Sequence, residues 1–282
     1  QPIDEALFRT RIHEAYMFRK TAEPDNLDNC RLIFGEADLL PGFLADRYND
    51  VIVTQISSYG MEQRKDMLYR ILLEELAADH QTVNAVYERN DVKIRQKEGL
   101  PLYKGFYICE GHSTKTVINE NGLKLNVDIE NGQKTGYFLD QKSNRMLIRR
   151  AARGKRVLDC FTHTGGFALN AAYGNAAHVT AVDVSETALQ QGRANAELNG
   201  LHNVEFVQAD VFDYLKTCAP GSFDLIILDP PAFTKSRRTV DHAYHGYQQI
   251  NLDAMNLLKE YNGYLATCSC SRYMETALFE TM

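Results

Sequence analysis

No apolar run in the 282-residue chain reaches the roughly 18 residues of a membrane-crossing helix, so no membrane partner is expected. No signal peptide is expected from its first residues. Cysteine is present at Cys30, Cys109, Cys160, Cys218, Cys268 and Cys270, but paired C-x2-C spacings are missing. That argues against a zinc site or a disulfide framework, so no metal is expected and a reducing cytoplasm is the expected location. Positive charge is not in excess: 31 Lys and Arg against 37 Asp and Glu leave a net charge of −6. Any nucleic-acid contact must therefore come from a local patch. The rest is ordinary globular composition, 44% hydrophobic and 24% charged, with length for one large or two medium domains. The first residue is Gln1 and the last stretch, Glu280-Thr-Met282, follows soon after a strand-like run. Both ends are expected to be cut from a longer protein.

Lys155 to Asn170 is the stretch around which the chain is organised. Val157 and Leu158 open a buried strand, Thr162 to Gly166 has turn chemistry, and Phe167 onward has helical spacing. A second apolar strand, His178 to Asp183, ends in an acid about 20 residues after the turn, where a doubly wound sheet places a ribose. A dinucleotide turn would need G-x-G-x-x-G; here the turn is T-H-T-G-G and the third glycine is missing. Asp159 at the strand end would repel a pyrophosphate and suits a cation. These features point to S-adenosyl-L-methionine, with its sulfonium and ammonium, and they disfavour a dehydrogenase.

Ahead of this stretch, apolar spacing predicts a helix over Ile3–Lys20 and strands over Cys30–Phe34, Phe43–Tyr48 and Val51–Ile56. A helix over Met61–Ala78 and a strand over Thr82–Tyr87 follow. Arg89 to Lys97 reads as a solvated surface segment. Asn121-Gly122 is a hairpin turn within Val117–Ile129. Gly132 to Gln141, with Phe138 and Asp140, is a candidate cap over the cofactor. Lys142, Arg145, Arg149 and Arg153 share one helical face, which suits either a polyanion contact or ordinary solvation.

After it, the predicted elements alternate: helix Thr187–Asn199, strand Asn203–Gln208, strand Phe223–Leu228, helix Tyr247–Glu260 and strand Tyr264–Cys270. Alternation implies a parallel sheet with ligands at its carboxyl edge. Asp159, Asp183, Asp210, Asp229 and Cys270 all fall at or near that edge. Asp210 suits the adenine amino group, or it caps the next helix.

Asp229-Pro230-Pro231-Ala232-Phe233 is the more specific motif. Two prolines stop a central strand and fix their carbonyls. Such an edge can grip the amino face of a flipped base, with Phe233 stacking on it and Lys235, Arg237 and Arg238 on adjacent phosphates. Thr267-Cys268-Ser269-Cys270-Ser271 closes the fifth strand. Methylating cytosine at carbon 5 requires a thiolate to add at carbon 6. Alternation within a strand points Cys268 and Cys270 the same way, so spacing does not choose between them.

N-G-Q-K-T-G-Y-F-L-D-Q, V-L-D-C-F-T-H-T-G-G-F, V-D-V-S, D-P-P-A-F and C-S-C-S together resemble the RlmI-type family of bacterial 23S ribosomal RNA cytosine-C5 methyltransferases. Further matching residues lie at Asp38–Gly42 and Arg89–Gly99. The resemblance implies an α/β, Rossmann-like class I S-adenosylmethionine-dependent methyltransferase domain over 142–282. A small α+β domain over 1–115 precedes it, joined by a hairpin and capping segment over 116–141. It implies that Asp159, Phe161, Thr164, Gly165, Asp183, Ser185, Asp210 and Val211 line the cofactor site. Cys270, assisted by Asp229, is the implied catalytic cysteine; Pro230, Pro231, Phe233, Lys235 and Arg237 are expected on the substrate from the residues themselves. The implied partner is 23S rRNA, and a homodimer is left open. Family members begin with a small RNA-binding PUA domain and continue past the fifth strand, and neither segment is in this sequence. Pro231 is followed by Ala232 rather than by the cysteine of a P-C motif, so product release cannot use that residue. Two other activities compete: methylation of an exocyclic amine or guanine N7, which needs no thiol, and RNA binding without catalysis.

Overall fold

The computed structural model describes residues 3–109 and 111–282. Gln1, Pro2 and Glu110, which belong to the expected first domain, lie outside the described residues. The chain divides into two compact units, Gln1–Lys142 and Ser143–Met282. The expected connecting hairpin falls within the first of them. No helix among the described residues is long and apolar enough to cross a membrane.

In the first unit, α1 (Glu5–Ala22) is followed by β1 (Arg31–Phe34), β2 (Phe43–Tyr48) and β3 (Val51–Ile56). Then come α2 (Tyr59–Glu62), α3 (Lys65–Ala78), β4 (Ala85–Asn90), α4 (Ile94–Lys97), β5 (Tyr103–Cys109) and the hairpin β6 (Lys115–Glu120)–β7 (Leu123–Asp128). The large sheet runs β1-β2-β3-β4-β5. β1, β2 and β3 are antiparallel neighbours, as the short links between them require. β3 and β4 are parallel, because α3 carries the chain back between them. Apolar residues of α1 (Phe8, Ile12, Tyr16) and α3 (Leu68, Leu72, Leu76) share one core with Leu32, Phe43 and Ile52 of the sheet.

Two sequence expectations need correction here. The helix expected over Met61–Ala78 is two helices, because Arg64 leaves helical geometry with ψ 4°. Arg89 to Lys97 is not a solvated segment. Lys93 and Lys97 are exposed, but Arg95 is fully buried and Arg89 is 8% exposed. Arg95 pairs with Glu62 at 2.8 Å, donates to the Pro101 carbonyl at 2.9 Å and lies 5.2 Å over the Tyr103 ring. Arg89 donates to the carbonyls of Ile129 (2.8 Å) and Gly132 (3.1 Å). Buried cations survive only when such partners surround them.

The second unit runs from α5 (Lys142–Ala151, its first residue assigned to the first unit) through β8 (Arg156–Cys160), α6 (Gly166–Tyr173), β9 (His178–Asp183), α7 (Glu186–Leu198) and β10 (Val204–Gln208). It continues with α8 (Val211–Thr217), β11 (Leu225–Leu228), α9 (Val240–Leu257), β12 (Tyr264–Thr267) and α10 (Thr276–Glu280). All five strands are parallel, in the order β10-β9-β8-β11-β12. Strand residues alternate between two cores, since side chains change face at every residue. Val157, Val179 and Ile227 pack with Phe167, Ala168 and Ala171 of α6. Leu158, Val182 and Ile226 pack with Val211 and Leu215 of α8 and with Ile250 and Ala254 of α9.

Of the basic face expected on α5, Arg153 lies beyond the helix end and is exposed, but the other three residues are not a solvated surface. Lys142 and Arg145 are 7% and 2% exposed, and Arg149 is half-buried. Lys142 binds the carboxylate of Glu23 and the Asn29 carbonyl within the first unit. Arg149 donates twice to Asn170 Oδ1, at 3.0 and 2.7 Å, and stacks 4.6 Å over Tyr173. α9 also starts two turns earlier than its apolar spacing suggests, at Val240 rather than Tyr247, with Ala243 buried in its first turns.

Candidate active site

The order β9-β8-β11 puts the direction change of the sheet between β8 and β11, the crevice where such folds bind ligands. β8, β11 and β12 end in register, with Cys160 opposite Leu228 and Leu228 opposite Thr267. The next residues, Phe161, Asp229 and Cys268, therefore form one row along the carboxyl edge.

Asp159 lies on the α6 face of β8 and is 1% exposed. Its Oδ2 accepts from Thr162 Oγ1 at 2.6 Å and from the Ala168 backbone N–H at 2.9 Å, tying the turn to the first turn of α6. Its Oδ1, equally buried, has no hydrogen-bond partner among the described residues. Burial pushes this carboxyl up to about 7, with the charges of Asp229 and Asp183 adding to the rise against the lowering by those two bonds. Phe161 (φ 62°), His163 (φ 52°) and Gly165 (φ 85°) all adopt left-handed backbone, so the turn stores strain at two non-glycine residues. At Gly165 a Cβ would lie 3.2 Å from both Leu169 Cγ and Phe206 Cε1.

Asp183 holds the same turn from the neighbouring strand. Its Oδ2 accepts from His163 N at 2.8 Å and its Oδ1 from Ser185 N at 2.9 Å. Ser185 caps α7 through Ala188 N at 3.3 Å. Asp210 caps α8, its Oδ1 accepting from Phe212 N at 2.9 Å and Asp213 N at 3.3 Å, the capping role weighed from the sequence. Val211 is 1% exposed with its side chain in the core at the start of α8. Thr164 is buried, and its carbonyl accepts from Asn195 at 3.4 Å. Phe138 and Asp140 belong to the first unit, where Lys134 pairs with Asp140 at 2.9 Å and sits 4.6 Å over the Phe138 ring.

After β11, Asp229 is half-buried, Pro230 buried and Pro231 exposed. The Phe233 ring packs 4.4 Å from Tyr247 and 6.0 Å from Phe212, which gives it a use in packing that the sequence did not suggest. Lys235 and Arg237 are exposed. Across from them β12 stops at Thr267, so the alternation used to pair Cys268 with Cys270 does not extend to Cys270. The Cys268 N–H still donates to the Leu228 carbonyl at 2.8 Å, and the chain then departs from the strand. Cys268 is half-buried, and burial together with the charges of Asp229, Asp159 and Cys270 pushes its thiol up to about 11. Cys270 is exposed, with its Sγ 3.6 Å from the Pro230 carbonyl oxygen. Ser271 staples the two loops: its Oγ accepts from Thr234 N at 3.3 Å and bonds the Tyr247 hydroxyl at 2.9 Å.

The sequence profile of the S-adenosylmethionine-dependent methyltransferases matches residues 67–270. The chain belongs to this family. A ribosomal RNA large subunit methyltransferase I of Klebsiella pneumoniae is 43% identical over 99% of this chain and 70% of its own length. The protein of that name from Escherichia coli O157:H7 is 42% identical with the same coverage. A solved protein assigned as a methyltransferase, in complex with S-adenosylhomocysteine, superposes with TM-score 0.79 at 25% identity, covering 100% of this chain and 72% of its own. A Streptococcus mutans protein assigned to S-adenosylmethionine-dependent methyltransferases gives TM-score 0.78 at 25% identity, covering 100% and 71%. The second unit is thus the Rossmann-like domain of a class I methyltransferase, and the cofactor is S-adenosylmethionine.

The methyltransferase site suits that cofactor chemically. Asp183 holds only backbone N–H groups in its hydrogen bonds among the described residues, and Gly165 keeps the turn free of a side chain. Each oxygen of Asp183 holds one backbone N–H and has a lone pair left for a ribose hydroxyl. Thr162, His163 and Ser271 were missed from the sequence as builders of the site. The T-H-T run and the final serine of C-S-C-S were the available signals, but their partners are 3, 20 and 37 residues distant.

Proposed function

We propose that this methyltransferase acts on carbon 5 of a cytosine in large-subunit, 23S ribosomal RNA, with Cys270 as nucleophile. The exposed Cys270 sulfur beside Asp229-Pro230 carries the reading, together with the names of the 42–43% identical relatives. When bound, S-adenosylmethionine supplies an electrophilic methyl group. Asp183 holds the ribose, Asp210 and the Val211 backbone face the adenine, and Ser185 fixes the start of α7 beside them. Asp159 acts from beneath, holding the turn that contains Phe161, Thr164 and Gly165.

Asp229 and the Pro230 carbonyl accept from the cytosine amino group, with Pro231 and Phe233 bounding the base and Lys235 and Arg237 on phosphates. The Cys270 thiolate adds to carbon 6 and breaks the 5,6 double bond, which makes carbon 5 the nucleophile. After methylation, which leaves S-adenosylhomocysteine, a base takes the proton from carbon 5, the double bond reforms and the thiolate departs. Cys268 is unsuited to this role, because its raised thiol pKa leaves little thiolate at neutral pH. A cytoplasmic location belongs to the same proposal. RNA carrying 5-fluorocytosine tests it: carbon 5 then has no proton to lose, so a covalent adduct accumulates on the wild type and not on Cys270→Ala. Methyl transfer to RNA by Cys270→Ala would overturn the thiol mechanism and favour attack by an exocyclic amine.

A further inference from the structure

Beside the cysteine loop lies a cavity of about 540 Å³, lined by Arg237, Val240, Arg272, Tyr273, Glu275 and Leu278. One wall comes from the loop after Pro231. There Thr234 Oγ1 donates to the Ser236 carbonyl at 2.7 Å and bonds Thr239 Oγ1 at 2.6 Å, which fixes the approach to Arg237. The other wall follows Cys270 directly, and the Met274 N–H donates to the Ser271 carbonyl at 2.9 Å. Ser271 joins the two walls, as described above. Arg272 is two residues from Cys270, so their Cα atoms are at most about 7 Å apart.

Arg237 and Arg272 are exposed, as are their neighbours Lys235 and Arg238. None of the four is held in an ion pair among the described residues. Some arginines elsewhere are engaged, such as Arg19 with Asp38 at 2.6 Å and Arg31 with Asp46 at 2.8 Å, whereas Arg150 and Arg153 are exposed like those at the cavity. Two guanidinium groups facing one cavity match an oxyanion with two free oxygens. Glu275 in the same wall disfavours a multiply charged free phosphate and tolerates a singly charged diester. Val240, Tyr273 and Leu278 supply an apolar wall for the attached sugar.

We propose that this cavity binds the phosphodiester next to the target nucleotide, with Arg272 as the residue that positions the strand and Arg237 opposite it. The inference rests on the reading of RNA as substrate. It is tested with a short RNA containing the target cytosine and a single uncharged methylphosphonate linkage on either side of it. Arg272→Ala is expected to weaken RNA affinity roughly tenfold. The slope of log affinity against log salt should fall by about 0.7. Affinity for S-adenosylmethionine should not change, and Arg272→Lys should recover part of the loss. The neutral linkage on one side should weaken the wild type by a similar factor and cost Arg272→Ala nothing further. Inorganic phosphate should compete only through ionic strength.

Equal losses from the neutral linkage in both proteins, or unchanged affinity in Arg272→Ala, would overturn the assignment. So would saturable competition by inorganic phosphate. Failure of the 5-fluorocytosine adduct with the linkage effect intact would remove Cys270 from the chemistry and leave this site standing.

Discussion

Asp159→Asn isolates the energetic consequence of a carboxyl buried beneath the cofactor turn. In the folded protein the group keeps its proton until about pH 7, whereas unfolded it loses it near the ordinary value of 3.8. Between these limits the unfolded state binds fewer protons. The stability linked to this group is therefore complete below the lower value and is lost as pH rises through the upper one. One proton at 1.36 kcal/mol per pH unit makes the loss about 4 kcal/mol. Asparagine is neutral throughout and its oxygen can take the bonds from Thr162 and Ala168 that Oδ2 now accepts. The stability difference between variant and wild type should thus be small near pH 4 and favour the variant by about 4 kcal/mol at pH 8. Urea unfolding followed by circular dichroism across that range measures it, since subtracting the two proteins removes every other titrating group. A difference that stays flat from pH 4 to 8 would mean that Asp159 is already ionised in the fold, and the account of the turn would fail.

Cys270→Ala should reduce methyl transfer by on the order of a thousandfold or more, while Cys268→Ala retains turnover; a radiolabelled methyl assay separates them. Gly174→Ala would place a Cβ 2.1 Å from the Arg149 carbonyl oxygen, a backbone atom that cannot swing away. Thermal and urea unfolding should show a loss of about 3 kcal/mol. Pro230→Ala restores a backbone N–H at the end of β11, and alkylation of Cys270 by iodoacetamide should slow by roughly fivefold as the strand pair lengthens. An unchanged alkylation rate would show that proline does not end the pair.

The β8–turn–α6 unit and the β6–β7 hairpin were legible because their signals are local: apolar runs, adjacent glycines and Asn121-Gly122, whose φ values of 52° and 88° suit a tight turn. β5 was not legible. It follows Pro101, contains Gly105 and has no buried residue, with Lys104, Tyr107 and Cys109 exposed, so neither continuous apolarity nor clean alternation marks it. Charge was the least legible feature. Arg95 and Arg149 look like solvent residues in sequence, and partners such as Glu62, Asn170 and the Tyr103 and Tyr173 rings make their withdrawal from water tolerable. The acids at the strand ends were legible as a group, because a parallel sheet collects its strand ends at one edge. Their division of labour was not, since it depends on which face of β8 Asp159 occupies and on which N–H groups the turn presents.

The contrast between the two cysteines follows from where β11 and β12 stop pairing. Along this pair Tyr264 N donates to Asp224 O and Cys268 N to Leu228 O, at 3.0 and 2.8 Å. In a parallel ladder the next rung would run from the nitrogen of residue 230 to the Cys268 carbonyl. Residue 230 is proline and has no hydrogen to give. Pairing ends there, and Cys268 remains beside Asp229, where burial and negative charge keep it a thiol. Two residues later the chain is free of the ladder, and the carbonyl that would have accepted the following backbone N–H faces the Cys270 sulfur instead. The Asp-Pro-Pro motif thus acts on both partners of the proposed reaction. In that proposal it presents a carboxylate and a fixed carbonyl to a base, and by withholding one hydrogen bond it releases the chain that carries Cys270 from the ladder.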